Sequence, residues 1–298
     1  MTFKDWFMIL QFLANGLCSG ALYSIVALGF GLIYISTGIF HFAHGAVYVA
    51  GAYILYFFLI ILKFNIYISL LFSLLGASIL GNLIETLVYN PMRKRKVSPS
   101  GFMIGSFGVY LFVVNLIALL FGNETKVLNP GIEKTFSFGS VILTRIQIIS
   151  FISFIAVSLL FLLFKKTKTG NLIIAFSNNP KLIETIGHNP YKIRIIIFTI
   201  GSTLAAISSS LSALDVGIDP NIGMSALFAS AVAVIIGGVN IFEGAILGGI
   251  LIGILQSLVV WQTSAKWMDA FTFLILIIFL LFRPEGILSK KVRIEESV

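Results

Sequence analysis

The sequence predicts an all-α membrane protein that crosses the bilayer eight to ten times. Of its 298 residues, 58% are hydrophobic and only 11% are charged, whereas charged residues make up about 25% of soluble domains. Apolar runs recur along the whole chain, and most approach the roughly 20 residues that a helix needs to cross a bilayer. Two glycine-containing segments predict broken helices, which an inverted repeat could relate to each other.

Nine candidate spans account for most of the chain, and the polar stretches between them are too short to form a soluble core. The N-terminal region has no signal-peptide cleavage site, so we interpret the first span as a retained helix. The seventh and eighth spans are short, which leaves the count between eight and ten. We therefore expect one transmembrane domain over residues 1–298. The candidate spans are 7–35, 39–62, 66–90, 100–121, 146–164, 194–213, 225–240, 244–262 and 268–282.

Positive charge is concentrated in three polar stretches. Residues 93–96 (RKRK), residues 165–194 and the tail from Arg283 hold four, six and four of the 20 Lys and Arg residues. The positive-inside rule places all three in the cytoplasm, so we expect a cytoplasmic C-terminus. The side on which the N-terminus lies depends on the span count. Basic cytoplasmic loops also explain the net charge of +8 without a nucleic-acid partner.

Residues 38–51 (GIFHFAHGAVYVAG) place two histidines among glycines within an apolar region. They align with residues 237–249 (GGVNIFEGAILGG), and paired glycine-interrupted segments of this kind point to a transporter's binding site. We therefore interpret both segments as lining a substrate pathway, with hydrogen bonding between helices as the alternative role of the histidines. A metal site is not expected, because no third ligand lies nearby. The candidate pathway residues are His41, Phe42, His44, Gly45, Asn240, Glu243 and Gly244.

Residues 178–192 (NNPKLIETIGHNPYK) predict a short helix within a basic loop. Asn178 or Asn179 can cap it, proline suits its first turn, and Gly187 can end it. Its apolar residues are expected to share one face. The helix is then either a connector on the membrane surface or a docking helix for a partner protein. The candidate docking residues are Pro180, Leu182, Ile183, Glu184, Ile186 and Gly187.

Five motifs in order along the chain resemble those of one transporter family. The chain is similar over essentially its whole length to the permease subunit of branched-chain amino acid ABC importers of the LivH type. The first motif is GALYSIVALGFGLIY followed by HFAHGAVYVAGAY. The other matching residues are Glu85, Tyr89, Pro91 and Arg93; Thr169, Gly170, Ala175, Ile186, Gly187 and Asn189; Pro220, Gly223, Gly237, Gly238, Gly244, Ala245, Gly248 and Gly249; and Arg283, Pro284, Gly286 and Ile287.

The resemblance implies a permease of the inner (plasma) membrane that forms the pathway for branched-chain or related small amino acids. An extracytoplasmic binding protein would deliver the solute, and a second, different permease subunit would complete the pathway. Two cytoplasmic ATPase subunits would use ATP and act on the helix at 178–188. The chain itself contains no phosphate-binding ATPase loop, so we expect neither a cofactor in this subunit nor enzymatic activity of its own.

The chain departs from the family pattern at two pathway positions, which leaves other solutes open. His41 replaces an asparagine of the family, and Glu243 stands where the family has a neutral residue. The alternatives are a permease for short amides, urea or another small polar solute, and a secondary carrier driven by an ion gradient. A membrane enzyme that uses the histidines with a metal is a further alternative.

Overall fold

The computed structural model describes residues 3–129, 131, 133–239, 241–283 and 285–288, with side chains from Trp6 onward. Within these residues, eight helices are long and apolar enough to span a membrane. The 16-residue helix at Ile222–Gly237 is the shorter ninth, so the predicted count of eight to ten is confirmed. The helices are α1 Phe3–Thr37, α2 Ala43–Tyr56, α3 Ile66–Ile84, α4 Asn90–Lys94, α5 Pro99–Phe121, α6 Arg145–Lys165, α7 Lys168–Asn178, α8 Pro180–Thr185, α9 Pro190–Val216, α10 Ile222–Gly237, α11 Phe242–Gln262 and α12 Met268–Phe282.

Two π-helical turns extend the second and third spans. Phe57–Ile61 continues α2, and Glu85–Tyr89 joins α3 to α4. A π turn inserts one extra residue into a helix and changes the direction of the side chains that follow. The turn at Glu85–Tyr89 leaves both Glu85 and Tyr89 fully buried.

The centre of the bundle is built around α1, which runs unbroken for 35 residues, or about 50 Å. It packs against α9, α10 and α11, while α9 also contacts α2 and α3. The most apolar window of the first span is 78% buried, whereas the corresponding windows of the fifth and last spans are 17% and 6% buried. The outer helices therefore present leucine, isoleucine and phenylalanine side chains to the surroundings, as lipid-facing helices do.

Hydrogen bonds between loops define the two ends of the bundle. At one end, a hairpin of β1 (Thr135–Phe138) and β2 (Val141–Thr144) lies beside the start of α1. At the other end lie the basic stretches 93–96 and 165–194, because Glu85 forms ion pairs with both Arg93 and Arg194. The bonds at the hairpin end are Gln11 Nε2 to Ile142 O at 2.8 Å, Lys126 N to Ile218 O at 2.7 Å and Thr144 Oγ1 to Asp215 Oδ1 at 3.2 Å.

The two polar stretches contain structure that the sequence analysis did not predict. Residues 122–145 include the hairpin, and residues 165–193 hold two helices, α7 and α8, where one was expected. The additional helix begins at a cap in which the Thr167 side chain accepts a hydrogen bond from Gly170 N at 3.1 Å. Gly170 also packs directly on the backbone of Phe164, so α7 folds back closely against the end of α6.

Glycines at four-residue spacing let α1 and α11 cross closely. Gly16 and Gly20 on α1 face Gly249 and Gly253 on α11, where the backbones touch. Small residues at this spacing let membrane helices approach and gain packing energy. The similar pair Gly101 and Gly105 on α5 meets only its own preceding loop and Met92, so that pair does not form a helix crossing.

We predict that Gly253→Leu destabilises the protein by about 3 kcal/mol, because a Cβ there would overlap the Gly20 backbone and force the helices apart. Thermal unfolding and monodisperse yield in detergent measure the effect. Gly108→Leu is the matched control, because a Cβ at Gly108 meets no atom within 4 Å. Equal behaviour of the two variants would contradict the close crossing.

Candidate functional site

The first glycine segment forms a break in the helical structure at residues 38–42. Gly38 ends α1 with a φ of +69°, a left-handed conformation that glycine adopts without strain. The chain then returns alongside the bundle and starts α2 at Ala43. The His44 Nε2 atom lies 3.3 Å from the Val26 carbonyl oxygen, eleven residues before the end of α1. At 1.5 Å per residue this is about 16 Å from the end of α1, so His44 lies well inside the bundle, and its depth in a membrane stays a prediction.

A chain of hydrogen bonds holds this break in place. His41 Nδ1 lies 2.7 Å from Tyr89 Oη, and the Tyr89 hydroxyl donates to Ser106 Oγ at 2.7 Å. Ser106 Oγ also accepts from the Ala43 backbone N–H at 3.0 Å. The network therefore ties His41 to α5 and returns to the first residue of α2. Since Tyr89 uses its hydrogen for Ser106, His41 Nδ1 is the donor in the first bond.

The second nitrogen of each histidine has no hydrogen-bond partner among the described residues. His44 must donate from Nε2 to the Val26 carbonyl, so its Nδ1 is an acceptor in the neutral ring. The same reasoning makes His41 Nε2 an acceptor. The two rings are 5.7 Å apart, and both side chains are fully buried. The centre of the protein thus contains two neighbouring acceptor nitrogens that lack donors.

The second glycine segment has a similar course with different chemistry. Gly238, with a φ of +117°, ends α10, so the equivalent of Gly38 lies one position after the aligned Gly237. Gly237 and Gly244 pack backbone against backbone. Glu243 is partly exposed and forms an ion pair with Lys165 at the end of α6. The predicted pathway residue Asn240 lies outside the described residues.

The structure places the two segments at the same end of the bundle. Both follow helices that run from the hairpin end towards the basic end, so the repeat between these segments is parallel. The two segments contact different helices. A Cβ at Gly45 would lie 2.6 Å from the Gly223 carbonyl oxygen at the start of α10, whereas Glu243 faces α6. The Phe42 ring packs at a tilt against the Phe40 ring. The hydrogen bonds described for His41 and His44 are those of the interhelical interpretation, and the pathway role stays a prediction.

The predicted docking segment, residues 180–187, contains the six-residue helix α8. The Asn179 side chain caps it by accepting from Leu182 N at 3.0 Å, and Gly187 ends the turn with a φ of +92°. Its apolar residues do not share one face as expected. Ile183 is only 3% exposed, whereas Leu182 and Ile186 are 55% and 61% exposed. The buried residue anchors the segment, and the other two present an apolar surface.

Comparison with known proteins identifies the family. The sequence model of a family described as branched-chain amino acid transport system permease component matches residues 12–280. The chain belongs to this permease family. It is 30% identical to the branched-chain amino acid permease BraD of Pseudomonas aeruginosa, with 94% of this chain and 96% of BraD covered. It is 27% identical to LivH of Escherichia coli, with 96% and 97% covered.

A solved structure supports the fold of the permease. PsaBC from Streptococcus pneumoniae in complex with Fab matches with a TM-score of 0.54 and 16% identity, and 92% of each chain is covered. At this identity the likeness concerns the fold alone. The permease is a multi-pass membrane protein, as its eight long apolar helices and its family both indicate.

Sequence reasoning on the permease missed a line of polar contacts between α3 and α9. We call these four pairs the polar seam; they run antiparallel along most of the two helices. The recurrence of polar residues along the third span was the available signal: Ser73, Ser78 and Asn82 on α3 and Thr86 in the π turn that follows it. The pairs are Ser73–Ser210 at 3.1 Å, Ser78–Thr203 at 2.7 Å, Asn82–Thr199 at 2.8 Å and Thr86–Tyr191 at 3.0 Å.

We predict that Ser106→Ala destabilises the permease by about 1–3 kcal/mol, because it leaves the Tyr89 hydroxyl and the Ala43 N–H buried without an acceptor. Thermal unfolding in detergent or nanodiscs measures this change. Ser100→Ala on the same helix is the control, since Ser100 is exposed. If Ser106→Ala and Ser100→Ala both unfold at the wild-type midpoint, the network does not stabilise the break.

Proposed function

We propose that this chain is a permease subunit of an ABC importer for branched-chain or related small amino acids. The main support for this proposal is the family match over nearly the whole chain. An exposed apolar segment on α8, within a basic loop, supports it further. The named relatives support the solute class, because BraD and LivH are described as high-affinity branched-chain amino acid transport permeases.

The proposed complex contains this subunit, a different second permease, two cytoplasmic ATPases and an extracytoplasmic binding protein. ATP would be used by the ATPase subunits, and we expect no cofactor in this chain. Orientation follows from charge: the stretches 93–96 and 165–194 lie at one end of the bundle together with Arg283, so this end faces the cytoplasm. The C-terminus is then cytoplasmic in the inner (plasma) membrane, and the hairpin faces the binding protein.

Docking of the ATPases on residues 180–187 is supported by their exposure. Leu182 and Ile186 lie one helical turn apart and expose more than half of their surface, at the end of the bundle where basic side chains predominate. A partner groove that takes up these two residues would bury apolar surface, which is the usual source of affinity for a helix in a groove. Glu184 and Lys181 beside them are exposed as well and can contribute charge to the contact.

The path from the docking segment into the membrane is short. Three residues, 187–189, separate Ile186 from Pro190 at the start of α9, whose Asn189 cap accepts from Tyr191 N at 2.9 Å. The polar seam then joins α9 to α3 along the bilayer. ATP binding can favour one state of the permease only through contacts that differ between states. We propose that a displacement at α8 passes to α9 and, through the polar seam, to α3.

The two histidines are the proposed contact for the polar groups of the solute in the pathway. His41 and His44 present acceptor nitrogens without donors, and the ammonium group of an amino acid carries three donors. Ionisable and polar groups in the membrane interior are expensive, so they usually serve a pathway or a partner. The pair therefore supplies a counterpart for a solute amino group when neighbouring helices part.

Reconstitution tests the proposed function directly. The complete complex, with its binding protein, is placed in liposomes with internal ATP, and uptake of labelled leucine, isoleucine and valine is measured against urea. We expect ATP-dependent uptake of the amino acids alone. Urea uptake would assign the chain to another solute class, and uptake that continues without ATP would contradict the importer mechanism.

We predict that Ile186→Asp reduces ATP-dependent uptake at least tenfold, because a charge would have to enter the apolar contact with the ATPase. Recovery of the ATPases on an affinity-tagged permease measures docking. Asn178→Asp, which adds the same charge at an exposed position outside the docking segment, is the control. The unfolding midpoint of both variants should equal the wild-type value, and normal ATPase recovery by Ile186→Asp would contradict docking on this segment.

We predict that His44→Gln and His44→Leu separate a pathway role from a packing role. If His44 meets the solute, His44→Leu raises the KM for uptake several-fold per folded complex, while glutamine, which retains polar groups, restores part of it. A packing role alone would lower the unfolding midpoint in both variants and leave the KM unchanged. Uptake kinetics and thermal unfolding on the same preparations give the comparison.

A further inference from the structure

A buried ion-pair cluster at the basic end carries a surplus of positive charge. Glu85 is fully buried, and its Oε1 atom accepts from Arg93 Nη1 and, at 2.8 Å, from Arg194 Nε. The side chains of Arg93 and Arg194 are 22% and 13% exposed. Within the part of the chain that the structure describes, no second carboxylate pairs with either arginine. Two guanidinium groups thus share one carboxylate, which leaves a net charge of one positive unit.

Arg93 is the member of this cluster that lines a cavity. Its Nη2 atom is buried and, like the Oε2 atom of its partner Glu85, has no hydrogen-bond partner among the described residues. The rest of the guanidinium is fixed, because Nη1 bonds Glu85 and the group lies 5.8 Å from the centre of the Phe102 ring. A buried donor without an acceptor is costly, and more so when it is charged. An arginine held in this way is preorganised for an anion.

A cavity lies next to this arginine. Its volume is about 220 Å³, and it is lined by Thr37, Gly38 and Ile39 at the end of α1 and by Arg93, Val97, Pro99 and Phe102. The space beside Gly38 is open, since a Cβ there would meet no atom within 4 Å. The liquid volume of one water molecule is about 30 Å³, so the cavity has room for a phosphate group and several waters.

The surroundings of the cavity also favour negative charge. Lys94, Arg95 and Lys96 follow Arg93 directly and are exposed. The 23-residue helix α5 begins at Pro99 on the cavity wall, and the positive end of a helix dipole attracts anions. Basic residues beside the cytoplasmic end of a span attract anionic headgroups.

We propose that this cavity binds a phosphate-class anion against Arg93, supplied either by an anionic lipid headgroup or by free phosphate. The anion neutralises the cluster of Glu85, Arg93 and Arg194 through the exposed part of the Arg93 side chain that lines the cavity. Because the cavity joins the end of α1 to the basic loop before α5, the bound anion also fixes the approach to the break at residues 38–42. This proposal does not depend on which solute the permease carries.

Titration of the purified full chain by native mass spectrometry tests the site and its source. The probes are dihexanoyl-phosphatidylglycerol, dihexanoyl-phosphatidylcholine and inorganic phosphate. Preferential binding of the phosphatidylglycerol assigns the site to an anionic headgroup, and binding of inorganic phosphate assigns it to the free ion. Wild-type protein that binds neither anion, or that binds the zwitterionic lipid equally well, would overturn the proposal.

Two pairs of variants locate the binding. We expect Arg93→Gln to weaken anion binding roughly tenfold, as the loss of a charge-assisted hydrogen bond does. Arg95→Gln removes the same charge from the same basic run and should leave anion binding unchanged. Val97→Asp places a carboxylate in the cavity and should abolish binding while Arg93 remains, and Val97→Asn is its neutral control. If Arg93→Gln and Arg95→Gln weaken binding equally, and Val97→Asp and Val97→Asn do so as well, the anion is attracted to the basic run in general and the proposed site is wrong. If Arg93→Gln does not fold, the Val97 pair decides.

Discussion

The structure depends on satisfying backbone and side-chain polar groups where no water is available. A membrane interior tolerates a broken helix only when protein groups or an aqueous cavity replace the lost hydrogen bonds. Here the break runs inward from exposed Gly38 to buried His41. Ser106 accepts the first N–H of the new helix, and Tyr89 links Ser106 to His41. The break is therefore a fixed element of the fold, around which α2, α3 and α5 are arranged.

The helical framework could be predicted from the sequence because each span carries its own signal of length and apolarity. The nine candidate spans all correspond to helices, with ends within a few residues. Polar stretches gave weaker signals. The β1–β2 hairpin and α7 were missed since short elements in loops depend on caps and contacts, such as the return of α7 at Gly170, that no period in the sequence reveals.

The candidate site was predictable in composition and less so in geometry. The glycines around His41 and His44 identified the break, while the depth of the break in the membrane stays a prediction. The partners of these histidines come from Tyr89, Ser106 and Val26, which lie far apart in the sequence. Ile183 shows the same limit: its apolar character was evident, but only tertiary contacts decide that it faces inward while Leu182 and Ile186 face out. The alignment of the two segments paired Gly38 with Gly237, yet the positive φ falls on Gly238, because the connection to α11 is one residue shorter.

The π turn at Glu85–Tyr89 fixes the direction in which the side chains at the basic end of the third span point. It adds one residue to a helix, and each residue turns the following side chains by about 100°. Deleting any one residue there would give a more regular helix, yet it would swing Arg93 away from Glu85 and detach Tyr89 from the histidine it supports. Insertions and deletions in this short turn are thus far less tolerable than substitutions, so lineages that lengthen or shorten the protein should do so in the hairpin and spare this turn.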